Sequence, residues 1–169
     1  MGSTTLEGVP PPGHLRPLWR RRFGAVVLAL LVAAGALGFL GDRTRTVSAI
    51  EDGYTLTLTY SPLSRSGLAA TWELKVAKAG GFTDPIEIAV SADYFAIFEH
   101  QGLNPQALRQ TSDGAVEYWV FDPPPGATFV VAVDQFVEPG RRYGASGTVA
   151  LVVDGERIAP IEFTTRLLP

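Results

Sequence analysis

One uninterrupted apolar segment near the N-terminus constrains this chain more than any other feature. It runs from Phe23 to Gly41 without a charged or strongly polar side chain, and Arg20–Arg22 precede it. As a helix, these 19 residues would span roughly 28 Å, which is close to the hydrocarbon thickness of a bilayer. The sequence therefore predicts one transmembrane helix over residues 23–41, acting as an uncleaved signal-anchor.

The same segment could instead belong to a secretory signal peptide that is cleaved. Small residues at Ala34-Gly35-Ala36 provide the spacing that a signal peptidase requires. The apolar run continues through Leu37–Leu40, however, and is longer than the core of a typical signal peptide. This length favours the signal-anchor, and cleavage stays open as the alternative.

The arginines around the apolar segment predict its orientation. Four arginines precede it, and two more, Arg43 and Arg45, follow within a few residues. Because positively charged flanks tend to stay in the cytoplasm, the N-terminus is expected inside and the rest of the chain outside. Residues 1–22 contain mostly small, proline and basic residues and are predicted to form a disordered cytoplasmic tail.

Small residues recur inside the predicted helix at a spacing of four. Ala25, Ala29 and Ala33 form one series, and Ala34 with Gly38 forms a second. This spacing lets a neighbouring helix approach closely, so these five residues are candidates for helix–helix packing. The alternative is that alanine and glycine are simply common in this chain.

Charge argues against nucleic acid as a partner. The 169-residue chain has a formal net charge of −3, but residues 1–22 alone carry four arginines against Glu7. Everything after residue 22 therefore has ten basic and sixteen acidic residues, a balance of −6. Such a domain is poorly suited to neutralising phosphates. The absence of cysteine also excludes a disulfide framework, zinc–thiolate sites and thiol nucleophiles.

From Gly53 onward, apolar residues follow the two-residue period of β-strands. Tyr54–Tyr60 alternates large residues with threonine, and Val116–Phe121 and Phe129–Val137 also read as strands. The intervening residues His100–Gly114, which include Asn-Pro, are interpreted as a long loop. The pattern after the helix is therefore that of short strands joined by turns.

The C-terminal part of the chain contains the strongest hairpin signal. Asp154-Gly155 separates two strands predicted over residues 145–153 and 157–167. About seven to eight short strands in total predict an all-β domain, an immunoglobulin-like β-sandwich. This extracytoplasmic domain is expected over residues 53–169, joined to the helix by a stalk at residues 42–52.

The order of several segments resembles a known group of domains. The stretches YTLTLTY, WELKVAKAGG, PPPGATFVVAV and GTVALVVDG follow one another as in small bacterial surface Ig-like domains of the CARDB type. This resemblance covers most of residues 53–165. The chain is also similar to uncharacterised, single-span actinobacterial proteins that end in a strand like TTRLLP. The resemblance implies an adhesive, spacer or accessory domain, and it implies no catalytic residue.

Aromatic residues and one histidine form the candidate partner or ligand patch: Tyr94, Phe95, Phe98, His100 and Trp119. Trp119 shares one face of its predicted strand with Glu117 and Phe121, and this face is expected to be exposed. Aromatic rings beside a carboxylate can stack on a sugar or dock a protein. The interpretation that these rings fill the core is favoured, and an exposed patch stays open as the alternative.

Patterns that would indicate catalysis or metal binding are absent from the sequence. Two histidines occur, of which His14 lies in the predicted tail, and there is no Gly-x-Ser-x-Gly motif. The Asp-Gly pairs at 52–53, 113–114 and 154–155 lack the additional acidic residues of a calcium loop and are interpreted as turns. We therefore expect no cofactor and no metal, and an enzyme that pairs His100 with a serine or carboxylate ranks last.

Together these features predict a non-enzymatic, membrane-anchored extracytoplasmic domain. Its expected partner is another membrane or envelope protein, because the anchor keeps the domain near the membrane. The alternative is a module that binds cell-wall glycan or a soluble ligand through exposed aromatic residues. The partner, the ligand and the oligomeric state are left open by the sequence.

Overall fold

The computed structural model describes residues 15–36 and 43–168 of the chain. The chain divides into two compact units, Met1–Gly41 and Asp42–Pro169. Within the described part, the first unit contributes one helix, and the second contributes eleven strands and one short helix.

Helix α1 spans Leu15–Ala36. It begins inside the region predicted to be a disordered tail, so that prediction is wrong for residues 15–22. Pro17 falls in the first turn, where its missing N–H removes no helical hydrogen bond, and the arginines that follow are good helix formers. Residues 1–14, the remainder of the predicted tail, lie outside the described residues.

The predicted transmembrane segment is described only in part. Residues 23–36 belong to α1, and residues 37–41 lie outside the described residues. No helix in the described part of the chain is long and apolar enough to cross a membrane. Arg20–Arg22 lie within α1 and shorten its uncharged part. The transmembrane span over residues 23–41 stays a prediction.

The predicted helix-packing residues are also described only in part. Ala25, Ala29 and Ala33 are exposed and lie at successive helical turns of α1. The side chain of Ala34 and the whole of Gly38 lie outside the described residues. Helix pairing through these residues stays a prediction.

The second unit consists of short strands and one helical turn, α2 (Ala92–Phe95). The strands are β1 (Arg45–Glu51), β2 (Tyr54–Tyr60), β3 (Leu63–Arg65), β4 (Trp72–Lys78), β5 (Ile86–Ser91), β6 (Phe98–Asn104), β7 (Arg109–Ser112), β8 (Val116–Phe121), β9 (Thr128–Val137), β10 (Ala145–Val153) and β11 (Glu156–Leu168).

These strands form two sheets around one core. The first sheet has the order β1-β2-β4-β9-β6, and the second has the order β3-β11-β10-β5-β8-β7. The β3–β11 pair is parallel, and the other pairs of neighbouring strands are antiparallel. One cluster of buried apolar side chains draws on both sheets and on α2. The predicted all-β sandwich is confirmed.

Alternating apolar residues explain why these segments are strands. In β4, Trp72, Leu74 and Val76 are buried, whereas Glu73 and Lys75 face solvent. Burying every second side chain is the arrangement that a half-covered sheet requires. β2, β8 and β10 begin and end at the residues that the sequence predicts.

The predicted stalk at residues 42–52 is wrong, because most of it is strand β1. β1 pairs with β2 along its whole length, from Arg45 opposite Tyr60 to Glu51 opposite Tyr54. The turn between the two strands has left-handed backbone at Asp52 (φ 49°) and Gly53 (φ 75°). Positive φ at both central residues is the geometry that favours a tight two-residue hairpin. The sandwich therefore starts at β1.

The predicted loop His100–Gly114 is also wrong, because it contains most of β6 and all of β7. The pairing of β6 with β9 shifts register between His100 and Gly102. All four residues of β7 are exposed. A bulged strand and a fully solvated strand do not show the clean alternation that sequence patterns detect. With β1 and the short β3, they raise the strand count above the predicted seven to eight.

Candidate functional site

The aromatic residues predicted to form a partner or ligand patch are buried. The exposed fractions of Tyr94, Phe95, Phe98 and Trp119 are 0%, 3%, 5% and 1%. The exposed patch is therefore wrong for these four residues, and the favoured interpretation, that the rings fill the core, is confirmed. His100 lies in β6 opposite Gln135, and its side chain is outside the described part of the chain.

The faces of β8 are the reverse of the predicted ones. Trp119 and Phe121 are buried, and Glu117 lies half-buried on the same face. The indole N–H of Trp119 donates a hydrogen bond of 3.0 Å to Oε2 of Glu117. The Glu117 carboxylate therefore provides a hydrogen-bond acceptor for the indole N–H of the buried Trp119 at the margin of the core. Because β8 has large apolar residues on both faces, periodicity alone does not identify its buried side.

The buried rings form the centre of the core. Trp119 meets Trp72 edge-on with a centroid distance of 5.8 Å, and Phe95 lies 5.5 Å from Trp119. Tyr94 and Phe95, both from α2, contact each other edge-on at 5.0 Å. Such aromatic pairs contribute about 0.5–1.5 kcal/mol each beyond burial. These rings therefore stabilise the fold and are not accessible to a sugar.

A short chain of hydrogen bonds lies beside these rings. The hydroxyl of Thr165 donates to the carbonyl oxygen of Ser61 at 2.7 Å, and lies 2.9 Å from the hydroxyl of Tyr94. Because Thr165 has only one hydroxyl proton, Tyr94 is the donor to Thr165. Burial raises the pKa of Tyr94 to about 12. The phenol therefore stays protonated at neutral pH and connects α2 to β11.

Metal-binding geometry does not occur in residues 15–36 and 43–168. No group of three or more His, Cys, Asp or Glu side chains there is placed to hold a metal ion. Asp113 instead accepts hydrogen bonds from the N–H groups of Val116, at 2.8 Å, and Ala115, at 3.0 Å. These two hydrogen bonds lower the pKa of Asp113. The prediction that Asp113-Gly114 is a turn is confirmed.

The candidate site is the free edge of β1, meaning the side of Arg45–Glu51 that faces away from β2. Among the described strands, β1 has β2 as its only neighbour in the sheet. Glu51 and Tyr54 close the two-residue hairpin, so their backbone groups hydrogen-bond to each other. Along an antiparallel strand, the N–H and C=O groups of successive residues point alternately toward the neighbouring strand and away from it. The N–H and C=O groups of Thr46, Ser48 and Ile50 consequently point to the free edge.

The other sheet edges in the described domain are shorter or interrupted. β6 contains a bulge, β7 has four residues and β3 has three. Bulges, prolines and short length are the usual means by which proteins prevent pairing at an edge. β1 has seven residues in unbroken register, without proline or glycine. It is therefore the edge best suited to accept another strand.

The side chains of β1 divide into two rows. On the outer face, the hydroxyls of Thr46 and Thr59 are 3.1 Å apart, and those of Ser48 and Thr57 are 3.0 Å apart. Ile50 continues this row and is 77% exposed. On the inner face, Val47 and Ala49 are half-buried and pack against the core. The cross-strand hydroxyl pairs hold β1 in place on β2.

Opposite charges mark the two ends of β1. At the N-terminal end, an open groove of about 750 Å³ is lined by Arg43, Arg45, Arg166 and Glu162, together with apolar residues that include Val47 and Leu63. At the C-terminal end, the exposed Glu51 accepts a hydrogen bond from the N–H of Ala159 in β11. The two ends lie about 20 Å apart, since a strand rises about 3.3 Å per residue. Three arginines against one glutamate make the N-terminal end positive, whereas Glu51 makes the C-terminal end negative.

None of the predicted site residues lies on β1. The signal that could have identified it is the alternation of Val47 and Ala49 with Thr46 and Ser48, directly before Asp52-Gly53. An Asp-Gly pair flanked by alternating residues on both sides is a strong hairpin pattern.

Comparisons with known protein families and with curated proteins found no relative of this chain. No protein-family model matches the chain, and no curated protein matches it. The resemblance to CARDB-type domains therefore stays a prediction.

Proposed function

We propose that this chain is a non-enzymatic, membrane-anchored extracytoplasmic domain that binds another membrane or envelope protein through the free edge of β1. The observation that carries the proposal is the unprotected edge itself, seven residues long and in unbroken register. Its unpaired N–H and C=O groups can bind an extended segment of a partner as one more strand. Backbone hydrogen bonds would supply affinity, and the side chains along the edge would supply selectivity.

We propose residues 23–41 as the membrane anchor, with the N-terminus inside. The support is that the described portion, residues 23–36, is apolar on every side of the helix. Six large apolar side chains of α1 are each more than half exposed: Phe23, Val26, Leu28, Leu30, Leu31 and Val32. A helix that is apolar all round is stable in lipid or in a protein core, but not in water.

The proposed anchor and the proposed docking edge are close in sequence. If the span ends at Gly41, only Asp42–Thr44 separate it from β1. Three extended residues reach about 10 Å. A partner in the same membrane would suit this short connection.

We also infer that the sandwich is of the immunoglobulin-like type. Two mainly antiparallel sheets and a buried tryptophan at their centre, Trp72, support this assignment. The absence of cysteine departs from antibody domains, in which a disulfide joins the sheets. An adhesive or accessory role, as the resemblance to CARDB-type domains implies, agrees with docking at β1.

The alternative function, glycan or soluble-ligand binding through exposed aromatic residues, loses its basis in this structure. It required Trp119 and the rings near Tyr94 to face solvent, and all of them are buried. We do not propose it.

A photo-reactive benzoylphenylalanine placed at Ile50 of the full-length chain tests the proposed function in cells that naturally produce it. Ile50 is on the docking edge, and the matched control position is Tyr143, which is 84% exposed and lies between β9 and β10. We expect a discrete protein adduct on irradiation at position 50 and none at position 143. No adduct at position 50, or the same adducts at both positions, would overturn the proposal.

A further inference from the structure

We propose that the strand that docks on β1 is β1 of a second copy of the same chain. The two strands would run antiparallel, with Ser48 of one copy opposite Ser48 of the other. Two five-stranded sheets would thereby join into one continuous sheet across a two-fold axis. This inference rests on the proposed function, in which the free edge of β1 is the docking surface.

The backbone of β1 permits this arrangement. The groups that point to the free edge belong to Thr46, Ser48 and Ile50, which are spaced two residues apart and placed symmetrically about Ser48. In the proposed pairing, Thr46 lies opposite Ile50 of the second copy, and Ser48 lies opposite its own equivalent. Each such pair exchanges two hydrogen bonds, so the interface would contain about six. Every backbone N–H and C=O group that points to the free edge of β1 would then have a hydrogen-bond partner.

Charge selects this partner. With Ser48 at the centre, Arg45 of one copy lies directly opposite Glu51 of the second copy, at both ends of the pair. Residues opposite each other without mutual backbone hydrogen bonds have Cα atoms about 4.5 Å apart, so their side chains are close. Arg45 and Glu51 are both exposed and lie on the inner face of β1, at either end of the row that contains Val47 and Ala49. Oε2 of Glu51 accepts the N–H of Ala159 in the same chain, and the second oxygen of this carboxylate faces Arg45 of the second copy in the proposed pairing. The strand is therefore complementary to itself when it runs antiparallel.

The remaining side chains also match. On the inner face, Val47 lies opposite Ala49 of the second copy, which continues the apolar interior across the interface. On the outer face, the highly exposed Ile50 lies opposite Thr46 of the second copy. The Ile50 side chain would then contact the methyl group of that threonine. Burying Ile50 removes the largest exposed apolar side chain of the edge from water.

Other registers are less favourable. A shift by one residue would place inner-face side chains opposite outer-face ones. A shift by two residues in either direction would leave only five of the seven residues of β1 paired. Either change would also separate Arg45 from Glu51 of the second copy. The register centred on Ser48 is the one that pairs the whole strand and both charges.

Cysteine cross-linking of the full-length protein tests this register, because the chain contains no cysteine. Directly opposed residues that exchange hydrogen bonds have Cα atoms about 5.5 Å apart, which is within the range of a disulfide. Under mild oxidation in membranes, Ser48→Cys should cross-link to a species of twice the chain mass. Thr46→Cys alone should not, whereas co-expressed Thr46→Cys and Ile50→Cys chains should cross-link to each other.

The matched control is Thr57→Cys. Thr57 pairs with Ser48 in the β1–β2 hairpin and lies on the same face, one strand further from the proposed axis. In the dimer, the two copies of residue 57 would be three strand spacings, about 14 Å, apart, too far for a disulfide. Equal cross-linking of Ser48→Cys and Thr57→Cys would overturn the proposal, as would strong cross-linking of Thr46→Cys alone.

A proline at the centre of the edge gives a second test. The N–H of Ser48 points away from β2, so Ser48→Pro removes a donor from the interface and none from the β1–β2 ladder. Added to the co-expressed Thr46→Cys and Ile50→Cys chains, it should abolish their cross-link while the thermal unfolding midpoint changes little. Persistence of the cross-link in the proline variant would overturn the proposal.

The photo-cross-linking experiment at Ile50 separates this inference from the proposed function. An adduct of about twice 18.1 kDa that contains only this chain supports both, because the second copy is then the membrane-anchored protein bound at the edge. An adduct with a different protein, and none with a second copy, supports the proposed function and overturns the second-copy inference. Absence of any adduct at position 50 overturns both.

Discussion

The carboxylate of Glu51 accepts a hydrogen bond from the backbone N–H of Ala159 and so connects the first strand of one sheet to the last strand of the other. Ala159 has a left-handed φ of 49°. It lies where the pairing of β10 with β11 shifts register between Val149 and Leu151. The backbone groups of a residue in a bulge lack partners in the strand ladder. Here the N–H of Ala159 instead donates to the side chain of Glu51 from the opposite sheet.

We expect Glu51→Ala to lower the free energy of unfolding by about 1–3 kcal/mol, because it leaves the partly buried N–H of Ala159 without an acceptor. Glu51→Gln keeps an acceptor oxygen and should cost less. Urea unfolding of the full-length protein in detergent, followed by tryptophan fluorescence, measures both. The control is Glu162→Ala, on the exposed face of β11. Equal losses for Glu51→Ala and Glu162→Ala would contradict the role given to Glu51.

Tyr94 should make the domain less stable at high pH. Its pKa is about 12 in the folded protein, against an ordinary value of 10.0. Between pH 10 and 12, the unfolded chain therefore loses this proton while the folded protein keeps it, so the free energy of unfolding falls as the pH rises. The difference between these two pKa values corresponds to a loss of about 2–3 kcal/mol in the free energy of unfolding. Below pH 10 this group should contribute no pH dependence.

Comparison with Tyr94→Phe isolates the contribution of Tyr94 from that of the other titrating groups. The variant should lose about 1 kcal/mol at pH 8, because one hydrogen bond to Thr165 is removed. Its free energy of unfolding should fall less steeply than that of the original protein between pH 10 and 12. Parallel curves over this interval would show that the phenol of Tyr94 ionises as readily in the folded state as in the unfolded state.

Gly144 should not tolerate a side chain. A Cβ atom built on Gly144 would lie 1.9 Å from the backbone oxygen of Thr165, whereas one built on Gly126 meets no atom within 4 Å. Because backbone must move to relieve such a clash, Gly144→Ala should destabilise the domain by about 1–3 kcal/mol. Gly126→Ala is the matched control and should be close to neutral. Thermal unfolding of the two variants measures the difference, and equal unfolding midpoints would contradict the close approach at Gly144.

Trp119→Ala distinguishes a core residue from a ligand-binding one. Removing a buried tryptophan should cost about 3–5 kcal/mol, with loss of the near-ultraviolet circular dichroism that the packed rings produce. The exposed aromatic Tyr143 provides the control, and Tyr143→Ala should leave both stability and spectrum nearly unchanged. A Trp119→Ala protein with unaltered stability would contradict the burial of this ring.

Sequence patterns located the strands that have one apolar and one polar face. In Tyr54–Tyr60, every threonine alternates with a large residue, and the strand lies where the pattern predicts it. The same logic failed for β8, because Val116, Tyr118 and Val120 make its outer face as apolar as its inner one. Which face is buried then depends on the neighbouring elements, here α2 with Tyr94 and Phe95, and not on the strand itself.

The candidate docking edge was missed for a related reason. Residues Arg45–Glu51 are short of large apolar side chains, because an edge strand buries little, and their alternation of Val47 and Ala49 with hydroxyl residues is weak. The one strong local signal is the Asp52-Gly53 pair that follows them, and the pairing with β2 establishes that they are a strand. Whether an edge is free depends on the whole strand order, which no local pattern contains.

The proposed membrane anchor predicts a difference between two leucines of similar exposure. Leu30 in α1 is 64% exposed, and Leu108 before β7 is 62% exposed. An arginine near the centre of a spanning helix costs about 3 kcal/mol, or roughly a hundredfold in the insertion equilibrium. We therefore expect Leu30→Arg to shift the full-length protein out of the carbonate-resistant membrane fraction, and Leu108→Arg to leave it there. If the unmodified full-length protein is already released by carbonate, or if both variants behave alike, then residues 23–41 do not anchor this domain.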